Sequence, residues 1–357
     1  MKNFSRLALS KAYASHTKLN FMAGQVPQGT ASFGRVLDLD DEARLNVLDR
    51  IGPKPNAERA TCLRASGEAL LLQERDEEAA HDLAAAIAFS GNFSEQRDFD
   101  KVLAPVVERD SVIVTQVAYN YFPIFEIWYR AMQRLGVHNI LLIALDPLTV
   151  EKARSAGIHY WYLPIFGFQK SVRRLIWTET LKVRQKILNA GVNYLHSDAD
   201  AIWQRDVRAQ VLNHKTDFVT SMAQGTPKSA LESWGFVMCL GFYFCRSNQR
   251  TRAIYDRYIE MTAALGHDQN GLNQLLFEQG LTWTPAGEGL LHGTCSDNGI
   301  SVTAIPQEIV ARPKDLQAVQ KTGVMHPVLS RQSIIGKIEL LKEFGVDVGR
   351  PESRFTL

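Results

Sequence analysis

The sequence predicts an α/β fold preceded by a helical appendage, and two observations carry that reading. From Ser111 onward, short apolar runs rich in β-branched residues alternate with segments of helical period, the pattern of a mostly parallel sheet covered by helices. Ahead of it, residues 67–90 are rich in Ala, Leu and Glu, and Leu70, Leu71, Ala79, Leu83 and Ile87 form a stripe near helical period.

The elements follow in order. Residues 1–37 read as irregular, punctuated by Gly24, Pro27, Gly29 and Gly34, and residues 38–108 read as helical. The stripe at 67–90 resembles one helical hairpin of a tetratricopeptide-type repeat, with no second copy behind it. The α/β unit is expected over residues 109–350. Its first strand is 111–115, a helix at about 124–135 is closed by Gly136, and a second apolar run at 139–145 is stopped by Asp146 and Pro147. A helix at 150–156, a strand at 159–163, a helix at 182–189 and a strand at 192–196 continue the alternation. Open α/β sheets bind ligands beyond the carboxyl ends of their strands. Asp198 and Asp200 stand just past the last of these strands.

A chain of 357 residues suffices for one large domain with an appendage. Apolar residues at 45% and charged residues at 22% give an ordinary globular composition. A net charge of +2 offers no argument for nucleic acid as a partner. Cys62, Cys239, Cys245 and Cys295 contain no C-x-x-C pair and are too sparse for a disulfide scaffold, which points away from structural zinc and toward a reducing, cytoplasmic setting. Peripheral attachment to a membrane stays open. Residues 1–24 lack the unbroken apolar stretch of a signal peptide. No apolar run approaches the roughly 18 residues of a membrane span.

Asp198 and Asp200 lie two positions apart, so extended backbone would put both carboxylates on one side of the chain. Two converging carboxylates repel unless a cation sits between them. A hard divalent ion, Mn²⁺ or Mg²⁺, takes such oxygen ligands and shares them with substrate phosphates. A bare D-x-D pattern is common. This one is wedged between the apolar run 192–195 and Ala201, Ile202 and Trp203, where unpaired carboxylates are costly to bury.

The segment 192–206, an apolar strand followed by Asp198-Ala199-Asp200, two apolar residues, Trp203 and the Arg205-Asp206 turn, resembles the D-x-D segment of the nucleotide-diphospho-sugar transferase family. That family includes plant rhamnogalacturonan xylosyltransferases and extensin arabinosyltransferases. Further blocks are similar to it in the same order: Tyr119-Asn120-Tyr121 with the helix up to Val137, the run 142–146, the strand 240–248 around Gly241, the helix start at His267-Asp268-Gln269, and His326 with Gly336-Lys337 and Gly345. Ala199, Pro327 and Val346 depart from the family's usual Val, Asn and Trp. The resemblance spans about residues 110–347. It implies a GT-A fold with a Rossmann-like mixed sheet flanked by helices, a nucleotide-sugar donor (a UDP-sugar first), a glycan, protein or small-molecule acceptor, and retention of anomeric configuration.

It also implies residue roles. Asp198, Asp200 and His326 would be metal ligands. Asp268 would orient sugar hydroxyls and Gln269 would face the developing oxocarbenium charge. Donor contacts would come from Tyr119 and Asn120 at the base, Lys182 and Lys337 at the diphosphate, Asp198, and Gly241 as a close-approach position. Most have a plainer alternative: His326 fits a hydrogen-bonded structural histidine and Lys337 a solvated lysine opening the last helix. Asp268 fits a helix N-cap, Gly241 a β-bulge, Tyr119 and Asn120 a surface turn. The basic cluster Lys170, Arg173, Arg174, Lys182, Arg184 and Lys186 fits a solvated helix face. Trp234, in an expected loop at 226–236, is the best aromatic for stacking on an acceptor. Two rival functions are a metal-dependent nucleotidyltransferase or phosphatase, and an inactive α/β domain acting as a binding module. The first lacks further carboxylates or a Gly-rich phosphate loop after Val114.

Overall fold

A computed structural model describes residues 57–72, 75–90, 93, 95, 97–165, 170–312, 322–327 and 333–349. The expected irregular segment 1–37 lies outside the described residues. The helical reading of 67–90 corresponds to a hairpin of α1 (Ala57–Leu72) and α2 (Asp76–Phe89). Gly67 lets the two helices close: a Cβ there would stand 2.5 Å from Leu83 Cγ.

The α/β unit opens with α3 (Phe99–Leu103) and β1 (Ser111–Val117). It continues through α4 (Phe122–Arg134), β2 (Ile140–Ala144), α5 (Pro147–Ser155), β3 (Tyr160–Tyr162), α6 (Lys170–Asn189) and β4 (Asn193–Ser197). Then come β5 (Ile202–Trp203), α7 (Arg208–Leu212), β6 (Phe218–Ala223), α8 (Lys228–Trp234) and β7 (Val237–Cys245). The chain closes with α9 (Gln249–Leu265), α10 (Asp268–Glu278), β8 (Leu281–Pro285), β9 (Leu291–Cys295), β10 (Ser301–Ile305), β11 (Val310–Ala311), β12 (Val324–Met325) and α11 (Ile334–Glu343). Nine strands form one sheet in the order β3-β2-β1-β4-β7-β6-β10-β9-β8, and β11, β12 and β5 form a small second sheet.

The fold is α/β, as expected, and its large sheet is mixed. β1 runs parallel to β2 and β4, and β2 parallel to β3. β7 reverses direction between β4 and β6. The parallel strands read as continuous apolar runs because both faces are covered. Ile113, Ile140, Leu142 and Leu195 pack toward α4 residues such as Phe125 and Trp128. Their neighbours Val112, Val114, Leu141 and Tyr194 pack toward Leu181, Ile187 and Leu188 of α6. One-residue alternation thus fills two cores, one on each face.

Two element expectations are corrected. The helix expected at 182–189 starts at Lys170, and the loop expected at 226–236 contains α8. Among the described residues no helix is long and apolar enough to cross a membrane.

Candidate functional site

β4 delivers the acidic pair. Past Ser197 the chain turns: the Ala201 N–H donates to the Asp198 carbonyl at 3.0 Å, and the Asp198 N–H donates to the Gly241 carbonyl at 2.7 Å. The Ser197 hydroxyl beneath the turn accepts from Trp128 Nε1 at 3.2 Å and Trp203 Nε1 at 3.1 Å. Trp203 is therefore a buried clamp and not a sugar platform. The carboxylates of Asp198 and Asp200 converge through this turn, not through the extended alternation expected from sequence.

His326 arrives from the small sheet. Its N–H donates to the Ala311 carbonyl at 2.8 Å, continuing the ladder in which β12 pairs with both β11 and β5. Its Nε2 lies 3.6 Å from Asp198 Oδ2 and 3.5 Å from Asp200 Oδ1. One ligand atom from each of the three residues falls within 4.8 Å of the others. Two carboxylates and an imidazole are a donor set that can hold a divalent metal ion.

Gly241 makes this approach possible. A Cβ there would stand 2.0 Å from His326 Cε1 and 2.6 Å from Asp198 Oδ2. The β6–β7 register jumps at the same place: Thr220 faces Tyr243, yet Ser221 faces Cys239. Gly241 is thus both a close-approach position and part of a bulge, and the two readings open in the sequence are compatible.

Burial opposes charge on Asp200, but His326, Tyr121 and Lys337 override it and hold the carboxyl below the ordinary range. Tyr121 donates its hydroxyl to Asp200 Oδ2 at 2.8 Å, and Lys337 Nζ donates to that hydroxyl at 3.3 Å. The Lys337 ammonium also sits 4.5 Å from the Tyr121 ring centroid. Burial likewise opposes charge on His326, yet hydrogen bonding to Asp200 and Cys239 pushes its imidazole up to about 10. Burial raises the Cys239 thiol, while His326 and Arg312 together bring it down to about 7.

A second group of polar side chains lies beneath the turn. His196 Nε2 is 2.9 Å from Asp198 Oδ1, and its Nδ1 is 3.0 Å from the Val114 carbonyl. Burial and the Arg184 charge lower the His196 pKa against the pull of Asp198. Arg184 is fully buried. It donates to Gln116 Oε1 at 2.6 Å and to the Tyr243 hydroxyl at 3.1 Å, and lies 3.7 Å from Asp268 Oδ2. The expectation of a mostly solvated basic face fails at this residue, because α6 turns Arg184 toward the sheet. Lys182 keeps to the solvent side and pairs with Glu179 at 2.6 Å, so its expected phosphate contact has no support in this arrangement. The side chains of Lys170 and Arg173 lie outside the described residues.

Asp268 opens α10 without capping it. Gly266, at φ +71°, ends α9 in the left-handed region that suits glycine. His267 then accepts from the Gln269 N–H as the N-cap. Burial raises the Asp268 carboxyl, but His267 and Arg184 lower it overall. Gln269 is half-buried, and its Nε2 donates to the Thr226 carbonyl at 3.4 Å. Tyr119 is 4% exposed with its ring in the core, so it offers no stacking face here. Its N–H donates to Asp146 Oδ2 at 2.6 Å. Asn120 is half-buried behind β1. Trp234 packs with Phe236, Phe277 and Trp283 and donates Nε1 to the Leu281 carbonyl, so it is held within an aromatic cluster.

Sequence reasoning missed Tyr121, His196, Arg184, Cys239 and Arg312. Tyr121 stood inside a recognised block beside the two residues chosen. His196 and Cys239 each sit two positions before a singled-out residue, Asp198 and Gly241, so strand periodicity was the signal that pointed to them. Arg312 carried none.

This site lies past the carboxyl end of β4, which is where open α/β sheets bind ligands. The family model described as nucleotide-diphospho-sugar transferase matches residues 135–331, and the chain belongs to that family. A curated relative, the β-arabinofuranosyltransferase RAY1 of Arabidopsis thaliana, is 28% identical over 188 residues, covering 47% of this chain and 33% of its own length. The chain thus spans about a third of that relative. Among solved structures, the galactosyltransferase LgtC in complex with donor and acceptor sugar analogs aligns with a TM-score of 0.40 at 11% identity, over 67% of this chain and 97% of its own. The glycosyltransferase GlyE of Streptococcus pneumoniae TIGR4 aligns with a TM-score of 0.40 at 13% identity, over 68% and 66%.

Proposed function

We propose that this chain is a metal-dependent glycosyltransferase of the GT-A type that moves a sugar from a nucleotide diphosphate sugar, a UDP-sugar first, to a hydroxyl acceptor with retention of configuration. The observation that carries the reading is the cluster of Asp198, Asp200 and His326 closed over the missing side chain of Gly241. A Cβ would fill this cradle, and two carboxylates with an imidazole can hold a divalent cation. Bound there, Mn²⁺ or Mg²⁺ would neutralise the diphosphate as it leaves.

The protein residues do the rest. Tyr121 and Lys337 fix Asp200 and bring a positive charge to the same side of the site, where a phosphate oxygen would be received. Asn120, in the turn that follows β1, would contribute to holding the base. Asp268, held by Arg184, and Gln269 sit at the N-terminus of α10, where sugar hydroxyls would be oriented and positive charge at the anomeric carbon stabilised. In a front-face substitution the leaving phosphate can take the acceptor proton, so no strong protein base is required. Positioning and electrostatics then carry the rate.

The test is nucleoside diphosphate release from a panel of UDP-sugars with Mn²⁺, with and without EDTA. UDP-arabinofuranose belongs in the panel because the curated relative is an arabinofuranosyltransferase. Loss of turnover with EDTA and in Asp200→Ala is expected. Undiminished turnover of Asp200→Ala at saturating donor sinks the metal role, and release of pyrophosphate would favour a nucleotidyltransferase.

A further inference from the structure

We propose that Cys239 is a positioning residue for the metal site: its sulfur accepts the Nδ1 proton of His326 and so aims the Nε2 lone pair at the cation. This rests on the metal reading of Asp198, Asp200 and His326 given above.

The ring of His326 has three constraints. Its backbone is fixed by the N–H donated to Ala311. One ring edge lies against Gly241, so close that a Cβ would overlap Cε1. Its Nδ1 faces Cys239 Sγ at 3.7 Å. A neutral imidazole carries a single proton, and Nε2 is the nitrogen that faces both carboxylates. For Nε2 to bind a cation, the proton must sit on Nδ1 and find an acceptor there. Among the described residues, the sulfur of Cys239 is the acceptor that Nδ1 meets.

Cys239 is fully buried and His326 is 5% exposed, which leaves little room for solvent to serve instead. Arg312 Nη1 donates to the same sulfur at 3.2 Å. Two donors therefore converge on one sulfur, and a charged guanidinium is one of them. A cysteine that only filled space among Ala223, Ala230 and Val237 would need neither. The Cys239 main chain is fixed as well, because Thr220 Oγ1 donates to its carbonyl at 3.1 Å. Metal-bound histidines commonly use a carboxylate or a backbone carbonyl for this purpose. Here a sulfur polarised by arginine takes that place.

The test is Mn²⁺ binding to the purified protein without donor, read by the electron paramagnetic resonance signal of free Mn²⁺, in wild type, Cys239→Ser, Cys239→Val, Cys239→Ala and Asp200→Ala. Serine keeps an acceptor; valine fills the volume without one; alanine covers the case in which valine does not fold. The expected result is an affinity lowered by about 10-fold or more in the valine or alanine variant, within about threefold of wild type in the serine variant, and abolished in Asp200→Ala. Should Asp200→Ala abolish binding while valine or alanine leaves it unchanged, the metal reading stands and the role of Cys239 is overturned. Should serine bind as weakly as valine, the acceptor role is overturned as well. Should wild type bind no Mn²⁺, or Asp200→Ala bind like wild type, the metal reading falls and this inference falls with it.

Discussion

Asp198 and Gly241 are joined by a backbone hydrogen bond of 2.7 Å, from the Asp198 N–H to the Gly241 carbonyl, at the point where β4 ends and β7 bulges. The same glycine leaves the space into which the His326 ring and the Asp198 carboxylate enter. One residue thus sets both the turn that carries the acidic pair and the approach of the third ligand. Gly241→Ala is expected to destabilise the fold by about 1–3 kcal/mol through overpacking and to lose Mn²⁺ binding by more than that strain alone explains, because His326 must withdraw. Thermal unfolding together with Mn²⁺ titration checks this; a variant that binds Mn²⁺ as wild type does would contradict it.

Tyr121→Phe removes the hydroxyl that links Asp200 to Lys337. The ring stays, so the fold should lose little, about 1 kcal/mol for one hydrogen bond. Donor KM should rise several-fold, and Lys337→Met should reproduce the rise. Steady-state kinetics with a fixed acceptor measures both. If the double variant shows the full product of the single effects, Tyr121 and Lys337 act separately and their linkage is ruled out.

Arg184 and Asp268 form a buried pair of opposite charge at 3.7 Å. Removing one partner of such a pair leaves an uncompensated charge, at about 3–5 kcal/mol for a well-formed bridge. Asp268→Ala should fall toward the low end of that range, since Gln116 and Tyr243 still accept from Arg184. Urea unfolding gives the value directly. Asp268→Asn should keep more of the stability than Asp268→Ala while losing turnover equally, which separates the structural role from the proposed one in orienting sugar.

The strands were legible in the sequence and much of the site's wiring was not, for physical reasons visible at particular residues. β1, β2 and β4 announce themselves because strands covered on both faces are continuous apolar runs. The first half of α6 was missed because Thr178 and Thr180 have low helix propensity; in the structure their hydroxyls bond back to the Arg174 and Ile176 carbonyls one turn earlier. Arg184 was read as solvated because an arginine is so by default. Its partners Gln116, Tyr243 and Asp268 come from three distant segments, and no local pattern brings them together. Asp198 and Asp200 were picked out by their place past a strand, but the turn that aims them depends on Gly241, some forty residues on. His326 was reached through the resemblance of its segment alone, since a lone histidine carries no signal of what it will face.

Asp217 offers a pH test away from the metal site. It is fully buried at the start of β6, accepts from Arg250 Nε at 3.0 Å and Asn248 Nδ2 at 2.5 Å, and takes the Ser301 N–H at 2.8 Å. Burial raises its carboxyl, but the bonds from Arg250, Ser301 and Asn248 prevail and hold it below the ordinary range. A carboxyl lowered in the folded state favours folding at any pH above its unfolded value of about 3.9, and that contribution is lost as pH falls through the folded value. Wild type should therefore lose stability steeply on the acid side of about pH 4. Asp217→Asn should be less stable at neutral pH by about 2 kcal/mol, the scale of a hydrogen bond to a charged group, and should show a shallower acid limb. Urea midpoints measured from pH 6 down to pH 3 distinguish the two curves. Parallel acid limbs in the two proteins would mean that Asp217 does not titrate with unfolding, and the stability it lends would then have to come from packing at the β6–β10 junction.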